Sequence, residues 1–199
     1  MTIIESFVIR RAVCNIPTNS LGNIFLGLTN EIEVDGNNIS NSLHDRISNF
    51  NPTRRFPNDI EFSNALKQEN LYGRPVTKYI LEQLEMSHGH QEAANLQSTT
   101  IEHIMPQTLN QEWLNDLGDD ADQHSLLIHT IGNLTLTAYN AELSNHSFTQ
   151  KRQIYENSNI QLNSFIAQKE QWGVNEINER AEVLATLAIG LWIPPFQRP

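Results

Sequence analysis

A single cysteine, Cys14, excludes an internal disulfide and any zinc cluster built from several cysteines. No structural zinc is expected, a reducing compartment suits the chain, and packing must supply its rigidity. Basic side chains are also scarce. Thirteen Lys and Arg stand against 23 Asp and Glu, a net charge of −10, and residues 101–199 hold only 5 basic against 12 acidic groups. A broadly basic surface for nucleic acid is therefore excluded, and any phosphate contact must be local, through a few cations, a metal ion or helix N-termini. No apolar run approaches the roughly 18 to 20 residues of a membrane span. The opening MTIIESFVIRR places charge where a signal peptide needs an apolar stretch. The expectation is a cytoplasmic chain with no membrane partner.

What is present reads first as helix. IIESFVIRRAVC places apolar residues at three- and four-residue spacings and stops before Pro17. Further helical stretches follow in LGNIFLGL, in ISNSLHDRISNF, in IEFSNALKQEN behind Asn58 or Asp59 as cap, and in VTKYILEQLEM, which Pro75 opens. Periodicity lapses between Ser87 and Ser98. TTIEHIMPQ then reads as a short β-branched strand bounded by Pro106, and Leu134 to Thr137 alternate as a second strand after Gly132. Helical spacing returns in SFTQKRQIYENS, in IQLNSFIAQKEQW and in VNEINERAEVLATLAIGLWI, whose Ile177, Ala181, Leu184, Leu187, Ala188 and Leu191 form an apolar stripe. The expected class is α+β, predominantly α-helical. It comprises an N-terminal helical lobe (1–98), a small ββα core (99–157) and C-terminal helices packing on that core (158–199).

Polar residues gather at the ends of the two strands. Glu102 and His103 precede Ile104 and Pro106, and Asn133 follows Gly132, with Asn140, Asn145 and Lys151 beyond. An imidazole, with a pKa of ~6.5 when unperturbed, can take a proton from water near neutral pH. Oxygen ligands suit a hard divalent ion that stabilises charge gathering on a phosphorus centre. A carboxylate and an imidazole at one strand end, an Asn at the next strand and an amide near the following helix make the layout of a ββα-metal nuclease. On a regular strand, however, Glu102 and His103 point to opposite faces, so both reach one site only if the strand ends there.

IEHIMPQ (101–107), IGNLTLTAYNAELSN (131–145), FTQKR (148–152), and the upstream ESFVIRR and RFP carry a resemblance. Together they resemble the C-terminal HNH-type (His-Me finger) nuclease domain of GmrSD-like, type IV modification-dependent restriction endonucleases and of related phosphorothioate-sensing defence nucleases. The resemblance implies a ββα-metal core, with His103 as general base and Asn133 fixing the loop and the imidazole. It further implies Glu102 beside the base as a contributor to Mg²⁺ or Mn²⁺ binding, and Asn140 as the polar ligand at the finger helix. Asn145 and His146 compete for that last ligand position. The substrate it implies is DNA, modified phage DNA in particular, cut in anti-phage defence to 5′-phosphate and 3′-hydroxyl ends. In such enzymes an N-terminal nucleotide-dependent domain carries a DGQQR-like motif. That motif is absent here, so the domain is expected to lie outside this chain or to act in trans.

Competing roles remain open at several positions. Asn133 can serve as a turn residue or take a direct catalytic part, and Asn140 can serve as a helix N-cap. His124 and His129 suit core or interface positions, although His129, four residues before Asn133, can support the site from behind. Arg10, Arg11, Lys151 and Arg152 are candidates for DNA phosphate contact, Lys151 foremost. Trp113, Trp172 and Trp192 are expected as core anchors. A different functional class also fits the acidic charge: a non-catalytic module that positions DNA or assembles with a partner NTPase domain.

Overall fold

The computed structural model describes residues 2–19, 21–31, 39–48, 54–89, 95–139 and 143–195. The chain forms two compact units. One comprises Met1–Ala65 with Ile189–Pro199, and the other Leu66–Ala188.

In the first unit, α1 (Ile3–Val13), α2 (Leu21–Glu31) and α3 (Ile39–Ser48) precede α4 (Asp59–Gln68), whose last turn enters the second unit. Thr2 caps α1 by accepting from the Glu5 N–H. Asn15 ends that helix at a positive φ of 58°, while the Ile16 N–H returns to the Arg11 carbonyl, a Schellman-type closure. Ile3, Phe7, Ile24, Leu28, Ile47 and Phe56 form the core of this unit. Arg10 and Arg11 are enclosed with it, at 0% and 1% exposure. Arg10 donates to the Trp192 and Pro57 carbonyls (2.6 and 3.1 Å) and pairs with Asp59 at 2.6 Å. Arg11 donates to the carbonyls of Arg55 and Pro17. These two side chains do not reach outward to phosphate as expected, because backbone carbonyls and Asp59 engage their guanidinium groups inside the core, with Arg11 Nε left unpartnered.

The second unit carries α5 (Pro75–Met86), β1 (Thr100–His103), the short α6 (Gln111–Leu117) and α7 (His124–Leu127), and β2 (Leu134–Thr137). They are followed by α8 (Phe148–Glu156), α9 (Ser164–Ala167) and α10 (Val174–Leu191), whose C-terminal turn lies in the first unit. The two strands pair antiparallel, in register Thr100↔Thr137 through His103↔Leu134. A capping box between Ser147 and Gln150 starts α8. Its core includes Ile104, Met105, Trp113, Leu143, Phe148, Tyr155, Trp172 and Ile177. The described residues adopt the expected α+β architecture, mostly helical with one small antiparallel sheet. All three tryptophans are buried, at 2% exposure or less.

The compact units divide the chain differently from the three segments expected at 98 and 157. Helix α5 belongs with the sheet, since the buried Glu85 carboxylate accepts the Gln161 and Leu162 N–H groups (2.8 and 2.9 Å). Residues after 188 belong with α1, since Ser6 and Arg10 donate to the Ile193 and Trp192 carbonyls. Strand β2 is buried on both faces rather than alternating in exposure. Its Thr135 hydroxyl is satisfied inside by Asn163 Oδ1 at 2.6 Å.

Two features fix the segment leading into β2. Arg180, enclosed on the apolar face of α10, donates to the carbonyls of Gly132 (2.9 Å) and Leu134 (2.7 Å). Burial lowers its pKa to about 10, which leaves it charged at neutral pH. Gly132 lies so close to α10 that an added Cβ would stand 2.2 Å from the Ile177 carbonyl oxygen. Gly132→Ala should therefore force the loop off the helix and cost about 1–3 kcal/mol. Urea denaturation checks this, and an unchanged midpoint would contradict the close approach.

Candidate active site

Strand β1 stays regular through its last residue, with Glu102↔Thr135 and His103↔Leu134 opposed, so the two side chains project to opposite faces. On the Glu102 side, Lys151 of α8 places its ammonium 2.7 Å from Glu102 Oε1 and 2.8 Å from the His103 carbonyl oxygen. Lys151 is fully enclosed. Burial lowers its pKa against the pull of Glu102, and burial raises the Glu102 carboxyl against the pull of Lys151. This pair ties α8 to the end of β1. The arrangement corrects two expectations: Lys151 holds the strand rather than DNA phosphate, and Glu102 is spent on Lys151, away from the His103 ring.

The His103 ring lies among aromatic and imidazole partners. Its Nε2 is 3.0 Å from His129 Nδ1. The Tyr72 ring meets His103 edge-on at 4.3 Å between centroids and stacks on His129 at 5.3 Å with a 10° interplanar angle. His103 is only 5% exposed. That burial, reinforced by His129, Lys151 and His124, lowers its pKa to about 4. The ring is accordingly neutral at pH 7 and retains a lone pair. Its Nδ1 has no hydrogen-bond partner among the described residues. Nor is it one of their sealed, unpartnered polar atoms, which are Arg11 Nε, Tyr155 Oη, Arg180 Nε and Trp192 Nε1. His124 Nε2 lies 2.9 Å from the Pro106 carbonyl, and because a carbonyl only accepts, that nitrogen carries the proton.

Asn133 is completely buried and completely used. Its Oδ1 accepts from the Met105 N–H (2.8 Å) and Trp172 Nε1 (3.1 Å), while Nδ2 donates to the Met105 and Ile128 carbonyls (2.9 and 3.0 Å). Its own carbonyl accepts the Ile104 N–H at 3.0 Å. An amide with every lone pair and hydrogen engaged cannot also touch substrate. Asn133 fixes the loop behind the imidazole, and the direct catalytic role expected as an alternative is not open to it in this geometry.

None of the remaining candidates among the described residues hydrogen-bonds to the His103 ring. Asn145 is exposed and accepts from Asn110 Nδ2 through its backbone carbonyl. His146 is exposed and accepts the Trp113 indole N–H through its carbonyl. Asn140 lies outside the described residues. Arg152, at 35% side-chain exposure, pairs with Glu156 along α8, and of the four basic candidates it alone presents a guanidinium to solvent. Sequence reasoning missed Tyr72, which no local pattern distinguishes, and Arg180, whose place inside the apolar stripe of α10 was a usable signal.

An antiparallel strand pair followed by a helix, with a neutral imidazole at the end of the first strand and helices bracing the loop, defines an α+β domain of the ββα kind. Residues 56–187 match the family model described as GmrSD restriction endonucleases, C-terminal domain, and the chain belongs to that family. It is thereby a restriction-endonuclease domain. A search of curated proteins found no match.

Two outcomes follow from this geometry. Asn133→Ala strands the Met105 N–H and the Trp172 indole N–H in the interior and should cost about 2–5 kcal/mol of unfolding free energy, read by urea denaturation; a loss below about 1 kcal/mol would refute the clamp. The second concerns pH. Because the native His103 ring titrates below the ~6.5 of a free imidazole, the unfolded chain binds a proton between about pH 6.5 and 4 that the native ring refuses. His103 thus removes stability as pH falls through that window. Wild type should lose stability faster than His103→Asn there, and parallel curves would contradict the burial argument.

Proposed function

We propose that this domain is an HNH-type DNA endonuclease of modification-dependent restriction and anti-phage defence, with His103 as the general base of phosphodiester hydrolysis. The observation that carries the reading is the state of one ring. His103 ends β1, is neutral at pH 7, is held through Nε2, and its Nδ1 has no hydrogen-bond partner among the described residues. In the proposed step Nδ1 takes a proton from water, the hydroxide oxygen attacks phosphorus in line, and the bond to the 3′ oxygen breaks, that oxygen taking a proton from solvent water to leave 5′-phosphate and 3′-hydroxyl ends. Lys151 and Asn133 take no part in that transfer; they keep the strand end and the following loop in place.

A divalent cation, Mg²⁺ or Mn²⁺, belongs to this proposal through the family resemblance. The described residues do not by themselves fit it: no group of three or more His, Cys, Asp or Glu among them could hold a metal, and Glu102 is engaged by Lys151 on the opposite face. No step is therefore derived through a metal. Asn140 is its proposed ligand from the chain, with phosphate oxygens and water to complete the shell.

The proposed substrate is modified phage DNA, with recognition supplied by a nucleotide-dependent partner domain and local phosphate contact by Arg152. No described helix is long and apolar enough to cross a membrane, and a cytoplasmic location fits the proposal. A non-catalytic role in positioning DNA or assembling with a partner NTPase draws support from the burial of Arg10, Arg11 and Lys151. Plasmid digestion separates the two readings. Wild type with Mg²⁺ or Mn²⁺ should nick supercoiled DNA, chelation should stop it, and His103→Ala should lose at least about 100-fold in rate with an unchanged circular dichroism spectrum. Full activity in His103→Ala would remove the assigned base; DNA binding without any nicking would favour the scaffold.

A further inference from the structure

We infer that His129 is a positioning residue that holds His103 in the tautomer with a basic Nδ1. The inference rests on the proposed role of His103 and adds to it the group that makes the role possible.

Two neutral imidazoles whose Nε2 and Nδ1 lie 3.0 Å apart share one proton between those atoms. If His129 Nδ1 carries it, His103 Nε2 is the acceptor, the single N–H proton of the neutral His103 ring must sit on Nδ1, and Nδ1 has no lone pair to take a proton. If His103 Nε2 carries it, His129 Nδ1 is the acceptor and His103 Nδ1 is free to take a proton from water. Only the second arrangement is competent. It also needs no rearrangement after proton uptake, since an imidazolium at His103 keeps donating through Nε2 to the same acceptor. The hydrogen bond on one ring nitrogen thus sets what the other can do.

His129 is built to stay in that place. Its carbonyl accepts the Leu71 N–H at 2.9 Å, and Leu71 is itself anchored by Thr77, whose hydroxyl donates to the Leu71 carbonyl. Tyr72, the next residue, covers the His129 ring face to face and the His103 ring edge-on. Tyr72 thereby restrains both rings, while His129 Nε2 makes no hydrogen bond to the described residues and is left to water. Burial, then the neighbouring His124, lowers the pKa of His129, which favours the neutral ring that an acceptor must be.

The test combines a spectroscopic readout with a variant series on the whole chain. Long-range ¹H–¹⁵N NMR of the wild-type domain near neutral pH should show His103 protonated at Nε2 and unprotonated at Nδ1. In His129→Phe, which keeps a ring against Tyr72 but removes the acceptor, His103 should become a mixture of tautomers and plasmid nicking should fall about 10- to 100-fold in kcat, with little change in KM. His129→Asn, whose Oδ1 can stand near the lost Nδ1, should restore most of both. A wild-type His103 protonated at Nδ1 would overturn the inference whatever the variants do, as would a His129→Phe protein with wild-type kcat or an unchanged tautomer. Its failure is separable from failure of the base assignment: His103→Ala inactive with His129→Phe fully active sinks only the positioning role. Activity retained in His103→Ala sinks the base, while the tautomer measurement still reports the direction of the hydrogen bond.

Discussion

The rest of the site depends on the amide of Asn133. Its four side-chain hydrogen bonds join Met105, which follows β1, to Ile128, which precedes β2, and to the indole of Trp172 beyond α8. Without that clasp the segments flanking the strands would need some other way to bury their N–H and C=O groups. With it, the chain on either side of the sheet is fixed without a disulfide or a zinc cluster, and the end of β1 becomes rigid enough to aim one imidazole. Arg180 repeats the device on the other side of the loop, donating to successive carbonyls across Ile131, Gly132 and Leu134. The fully engaged amide of Asn133 fixes one geometry, because each partner it loses becomes a buried orphan, whereas Arg180 keeps its Nε unpartnered.

The scarce cations are used in the same manner. Arg10, Arg11, Lys151 and Arg180 are all enclosed and donate chiefly to backbone carbonyls. Enclosing a charge is costly unless its donors are satisfied, and the Arg10 and Lys151 pairs add a carboxylate to those carbonyls. The consequence reaches function. An acidic domain whose cations work internally has little electrostatic hold on a polyanion, which fits the proposal that recognition comes from a partner domain and that this unit supplies the chemistry.

Much of this was legible in the sequence because it is local. The two short strands and Pro75 at a helix start follow from spacing and composition, and the motifs around His103 and Asn133 carry the family resemblance. The opposite faces of Glu102 and His103 also follow from strand alternation alone. What could not be read is what folding brings together from afar. Whether Arg10 or Lys151 points to water or to carbonyls depends on chain 40 or more residues away. The contact of His129 with His103 spans 26 residues, and Tyr72 joins them from the turn before α5. The lone charge in the α10 stripe, Arg180, was the one such feature that the pattern itself marked.

The account stands on His103 facing the scissile phosphodiester through Nδ1. A crystal structure of the domain bound to an uncleaved DNA duplex tests this most directly. The account predicts a water within about 3 Å of His103 Nδ1 and in line with a backbone phosphorus. A duplex seated elsewhere on the domain, with that nitrogen facing no phosphate, would contradict it.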